Sequence, residues 1–199
     1  MRLEAHNIGF RYGRWLFRNL SFAVNSGERV GLVAPSGWGK STLVKLLSGY
    51  EKPLEGEVLL DGKPLPTKGA LPVQLIYQHP EDAINPRWRM QQVLAEAGIE
   101  NNMVPEALGI EAAWLKRFPR ELSGGELQRF CIARALFSGA HFLLADEIST
   151  MLDAITQAQL WHFLLAEVER RNMGLIVVTH NAALASRVCS QVRTISDMY

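Results

Sequence analysis

Residues 29–42 pass from a short apolar segment, Arg29-Val30-Gly31-Leu32-Val33, into Ala34-Pro35-Ser36-Gly37-Trp38-Gly39-Lys40-Ser41-Thr42. A buried strand that breaks into a glycine-rich turn and resumes as a helix commits the chain to layered α/β architecture. The helix start leaves backbone N–H groups unpaired, and these with the helix dipole suit an anion. The usual phosphate-loop spacing is G-x-x-x-x-G-K-[ST]. Gly39, Lys40 and Ser41 meet it, but Ala34 stands where the first glycine belongs. Alanine is tolerable there if its φ is negative and its Cβ points away from the ligand. A positive φ would cost about 1–2 kcal/mol and weaken binding, which glycine would then restore. Gly37 and Gly39 supply the remaining backbone freedom. Trp38 is bulky for its place, and either lies outward or meets a partner.

Other segments agree with a single α/β domain spanning 1–199. The first 30 residues alternate apolar and polar side chains, as in Leu20-Ser21-Phe22-Ala23-Val24-Asn25, and turn at Asn25-Ser26-Gly27-Glu28. This predicts antiparallel strands along one edge. A helix is predicted from about Ser41 to Ser48. The region of about 79–125 reads as a small inserted helical subdomain, with helical stretches Gln91 to Ala97 and Glu111 to Arg117 interrupted by Pro105 and Pro119. A longer helix is predicted from near Glu126 to Phe137. Strand Phe142 to Ala145 follows, then helix Ile155 to Glu169 with Leu160, Phe163, Leu164 and Val168 inward, then strand Leu175 to Thr179. The alternation implies a mainly parallel sheet with crossovers.

Four further motifs follow the glycine-rich turn in order: Gln78, Leu122-Ser123-Gly124-Gly125-Glu126, Asp146-Glu147 after an apolar strand, and His180 after five β-prone residues. Glu147 follows Asp146 at the end of an apolar strand, so its side chain is expected on the opposite face of the strand end, placed to accept a proton. Ser123 before two glycines and Glu126 is a helix-capping pattern that also presents N–H groups to an anion.

Taken together these residues resemble the nucleotide-binding subunit of ATP-binding-cassette (ABC) transporters, over essentially the whole chain. The resemblance implies a P-loop NTPase core that binds ATP with Mg²⁺. It assigns Lys40 to the β/γ-phosphates, Thr42 to the α-phosphate region, and Ser41, Gln78 and Asp146 to Mg²⁺. It makes Glu147 the residue that orients or deprotonates the attacking water, with His180 and Gln78 reading the γ-phosphate. Tyr12, 28 positions before Lys40, becomes the ring on which adenine stacks. Ser123, Gly124, Gly125 and Glu126 close over the γ-phosphate of a facing subunit, so each site needs two chains, either a homodimer or a paralogous heterodimer. Ser149-Thr150-Met151-Leu152-Asp153 looks like the loop crossing that seam, with Thr150 and Met151 departing from the commoner small residues.

The runs Gln78-His79-Pro80, Ile84-Asn85-Pro86-Arg87 and Glu126 to Leu136 resemble the importer branch for peptides, nickel and metal–opine chelates. That implies integral-membrane permease partners and a peripheral place on the cytoplasmic face of the membrane. No apolar window here is long enough to span a bilayer. A formal charge of +1, from 21 basic and 20 acidic residues, gives no footprint for nucleic acid. Cys131 and Cys189 sit among apolar neighbours, too few for a disulfide framework. Two alternatives stay open: a subunit with weakened catalysis that binds ATP structurally, and a soluble ABC ATPase outside transport.

Overall fold

In a computed structural model the described residues are 1–35, 37–99 and 108–195; Ser36 and Pro105 lie outside them. β1 (Arg2–Tyr12) and β2 (Arg14–Asn25) form an antiparallel pair whose inward side chains alternate with exposed ones. The predicted turn follows, with the Glu28 carboxylate accepting from the Asn25 N–H at 2.8 Å. β3 (Arg29–Val33) leads through the glycine-rich turn into α1 (Lys40–Leu47). β4 (Glu55–Leu60) and β5 (Lys63–Pro64) return to β1, completing a four-stranded sheet in the order β2-β1-β4-β5. The antiparallel strands thus make a sheet of their own rather than an edge of the parallel one.

β6 (Val73–Ile76) precedes the inserted region, which contains α2 (Met90–Glu96). The predicted helix Glu111 to Arg117 is instead a 3-10 turn, Ala112–Lys116. Gly109 at φ 63° stands before it, Phe118-Pro119 follows it, and its N–H groups bond three residues back, Trp114 to the Glu111 carbonyl and Arg117 to the Trp114 carbonyl. Trp114 and Leu115 still bury into the core below.

α3 (Gly124–Phe137) begins two residues earlier than predicted. Ser123 Oγ accepts from the Glu126 N–H and Glu126 Oε2 accepts from the Ser123 N–H, a reciprocal cap that offsets two glycines in the first turn. β7 (Phe142–Asp146), α4 (Ala154–Arg170), β8 (Gly174–Thr179), α5 (Ala182–Val188) and β9 (Gln191–Thr194) complete the fold. The second sheet is parallel in the order β6-β7-β8-β3-β9. Every residue of β7 and β8 is buried, as befits strands covered on both faces. One core lies between the two sheets and α1, the other between the parallel sheet, α2, α3 and α4. On α4, Leu160, Leu164 and Val168 are buried as expected and Phe163 packs partly buried against the same core; Trp161 is buried as well, its indole N–H donating to Ser149 Oγ at 3.1 Å.

Parallel β3, β7 and β8 deliver their C-terminal ends to one rim of the sheet. Ala34, Glu147 and His180 follow those ends directly, which places the candidate motifs at the crevice where open α/β sheets bind ligands.

Candidate functional site

The phosphate-loop segment turns on glycines in left-handed backbone, Gly37 at φ 84° and Gly39 at φ 77°. Gly39 N-caps α1 and allows close approach of β2, since a Cβ there would lie 3.3 Å from Leu16 Cδ1. Ala34 is not among the described residues with positive φ, and its side chain is buried in the core between the sheets. Both conditions for tolerating alanine are met, so the expected loss of affinity has no structural cause. Trp38 lies outward, 40% exposed.

Lys40 is buried although charged. Its ammonium donates to the Ala34 carbonyl at 2.9 Å and the Pro35 carbonyl at 3.1 Å, and stands 3.7 Å from Glu147 Oε1. Three partners offset the desolvation of this cation while holding it at the cleft.

Asp146 and Glu147 do not point to opposite faces. Strand geometry stops at Asp146; Glu147 adopts φ 49°, and its N–H donates to the Val178 carbonyl at 3.0 Å. That left-handed step cancels the usual alternation and turns both carboxylates toward α1. Asp146 is buried and Oδ1 has no hydrogen-bond partner. Burial pushes its pKa above the ordinary carboxylate value, the neighbouring Glu147 charge adds to this, and the Ser41 hydroxyl and Lys40 pull the other way. An orphaned buried carboxylate oxygen beside a serine hydroxyl fits a hard cation such as Mg²⁺.

Glu147 carries two contacts at once, since Oε2 lies 2.8 Å from His180 Nδ1 while Oε1 faces Lys40. His180 follows β8 and remains largely exposed on its far side. A cleft of about 360 Å³ gathers Gly37, Gly39, Lys40, Ser41 and Thr42 from the loop and α1. Tyr12, Leu16, Gln78 and Glu147 form the rest of its lining. Gln78 is joined to α3 through its neighbour, because Gln128 Nε2 donates to the Tyr77 carbonyl at 3.1 Å.

Ser123, Gly124, Gly125 and Glu126 do not line this cleft. They pack on the loop after β7: a methyl added at Gly125 would come within 2.8 Å of Leu152 Cδ2, and one at Gly124 within 3.4 Å of Met151 Sδ. Ser149 anchors that loop, accepting from Gln157 Nε2 at 2.8 Å as well as from Trp161. Leu16 and Glu51 were not singled out by sequence. Leu16 is an ordinary strand leucine, and Glu51 reaches Tyr12 only because the chain folds back after α1.

Comparison with known proteins agrees with the geometry. The ABC transporter family pattern matches residues 17–150. The nickel import system ATP-binding protein NikE of Staphylococcus aureus (strain bovine RF122 / ET3-1) is 31% identical over 98% of this chain and 87% of its own length. Among solved structures, the ATP-binding cassette MJ0796, dimeric in a post-hydrolysis state with ADP and Pi, superposes with a TM-score of 0.82. It is 22% identical over 96% of this chain and 93% of that one. The cbiO1 protein of Clostridium perfringens, part of the cbiONQ complex, gives a TM-score of 0.78 at 21% identity, covering 96% of this chain and 83% of that one.

Proposed function

The chain belongs to the ABC transporter family as the ATP-binding, ATP-hydrolysing cassette that powers such a transporter, and we propose that it drives an importer of peptides, nickel or metal chelates. The observation that carries the catalytic reading is the convergence of Lys40, Ser41, Gln78 and Glu147 on one cleft, with Asp146 and His180 behind it. The likeness to a nickel import protein supports the cargo class.

In this reading the triphosphate lies along the loop 34–42, with its terminal phosphates at the N-terminus of α1 and at Lys40, and Thr42 near the α-phosphate. Adenine stacks on Tyr12. Mg²⁺, held by Ser41, Asp146 and Gln78, would offset charge on the β- and γ-phosphates. Glu147 accepts a proton from water as the water oxygen bonds to the γ-phosphorus and the bridge to the β-phosphate breaks, releasing ADP and phosphate. His180 holds the Glu147 carboxylate in register and contacts the γ-phosphate. Binding of the triphosphate must draw Lys40 from Glu147, leaving that carboxylate free to take the proton.

Ser123, Gly124, Gly125 and Glu126 of a second cassette, a copy of this chain or a paralogue, close over the γ-phosphate. A site completed only by two chains accounts for the signature lying outside the cleft of its own chain. ATP between two cassettes favours the closed dimer and hydrolysis releases it, a population shift that permeases convert into transport. The region of about 79–125, described at residues 79–99 and 108–125, is read as the helical subdomain that relays the state of Gln78. No helix among the described residues is long and apolar enough to cross a membrane, which accords with a peripheral subunit on the cytoplasmic face, docked on integral-membrane permeases. A structural subunit with weakened catalysis is disfavoured, because the one departure in the phosphate loop, Ala34, is accommodated without strain.

The test is reconstitution of the chain, with the permeases that co-purify with it, in lipid vesicles. ATP-dependent accumulation of labelled peptide, nickel or nickel chelate is expected. ATP-driven efflux, or uptake that continues after Glu147→Gln, would reject the assignment.

A further inference from the structure

Tyr12 ends β1 at the cleft, the residue 60% exposed. An exposed tyrosine free to change rotamer is a poor stacking surface, since ordering it must accompany every binding event. Here the ring is held before any ligand arrives. Phe10 meets it edge-on at 5.0 Å between centroids. Its hydroxyl donates to Glu51, 3.1 Å from Oε1 and 3.2 Å from Oε2. The Glu51 main chain is tied to α1, its backbone N–H donating to the Lys45 carbonyl at 3.2 Å in the last turn of that helix. The same helix therefore opens on Lys40 and Ser41 and closes on the tether of Tyr12. Desolvation and the Glu51 carboxylate both push the Tyr12 hydroxyl above its ordinary pKa, as expected of a donor to an anion.

We infer that Glu51 is a positioning residue for nucleotide: by anchoring the Tyr12 hydroxyl to the end of α1, it fixes the ring as a base-stacking platform at a set distance from the phosphate site. The inference rests on the reading of Tyr12 as that platform. Its consequence is selective. Loss of the tether weakens ligands that carry a base and leaves the phosphate subsite intact.

Calorimetric titration of the intact chain with Mg-ATP and with Mg-tripolyphosphate, which has no base, tests it. Glu51→Ala should weaken ATP about two- to tenfold, the range for ordering one side chain on binding, without changing tripolyphosphate binding. Glu51→Gln, which keeps an acceptor, should fall between. Tyr12→Phe should show the same loss as Glu51→Ala, and the double variant Tyr12→Phe/Glu51→Ala no more than either. Equal losses for both ligands, or additive losses in the double variant, would overturn the inference. If Tyr12→Ala weakens ATP and Glu51→Ala does not, only the tether fails; if Tyr12→Ala has no effect, the platform reading falls with it.

Discussion

Glu147 Oε2 lies 2.8 Å from His180 Nδ1, joining the first residue past β7 to the first residue past β8. The contact depends on the left-handed backbone of Glu147, which aims its carboxylate along the sheet rim toward both His180 and Lys40. A carboxylate held on two sides is oriented before substrate binds, which is what a proton acceptor for a weak nucleophile requires.

Glu147→Gln keeps the shape and the hydrogen-bonding amide while removing the base. Mg-ATP binding should persist and hydrolysis fall by about 10²- to 10⁴-fold, the usual share of a positioned general base. Dimers should then accumulate with ATP, as read by light scattering. Turnover near the parent rate would remove Glu147 from that role.

Lys40→Ala deletes the only buried lysine among the described residues. Mg-ATP at a hundredfold excess over its Kd should stabilise the parent by about 2.7 kcal/mol, roughly 5–10 °C in melting temperature for a chain of this size. The variant should show no such shift by scanning calorimetry. An undiminished shift would place the triphosphate elsewhere.

Asp146 has a stability signature of its own. Its pKa is raised on folding by burial, so its protonated form favours the fold. That contribution is complete below the ordinary value of 3.8 and is lost as pH rises through the higher folded value. Near neutral pH the buried charge is carried at a cost. Asp146→Asn should therefore melt above the parent without Mg²⁺ at pH 7, by about 2–4 °C for each kcal/mol relieved. The difference should shrink toward pH 3, and the variant should lose Mg²⁺-dependent ATP binding. A variant less stable than the parent at pH 7 would mean Asp146 is paired in solution.

Much of this site was legible in the sequence because its parts are local. Asp146 ends β7, His180 directly follows β8, and Lys40 and Ser41 open α1 after the turn from β3, so strand and strand-turn-helix patterns fix where these residues emerge. Less legible were features set by non-local approach or by unusual backbone. Alternation placed Glu147 on the wrong face, since nothing in its residue type announces a positive φ. Glycine's poor helix propensity hid the true start of α3, which a cap between Ser123 and Glu126 overrides. Trp161 joins the core side of α4 because its indole N–H finds Ser149, a partner twelve residues away, which the apolar spacing of Leu160, Leu164 and Val168 does not announce. Glu51 could be found only from the fold, 39 positions from the tyrosine it holds.

Ala34→Gly separates motif from physics. A pattern-based view expects glycine to repair the loop and tighten ATP. The structure gives the alanine methyl a buried place between the sheets and ordinary backbone, so glycine gains no conformation the loop uses. Removing the methyl costs about 0.8 kcal/mol of burial, and the freer unfolded chain adds about 0.4–1 kcal/mol. Ala34→Gly should therefore melt about 2–7 °C lower while Mg-ATP affinity, measured by titration calorimetry, stays within twofold of the parent. A tenfold gain in affinity with no loss of stability would show that the alanine strains the phosphate loop, and that the backbone at this position must turn left-handed once nucleotide is bound.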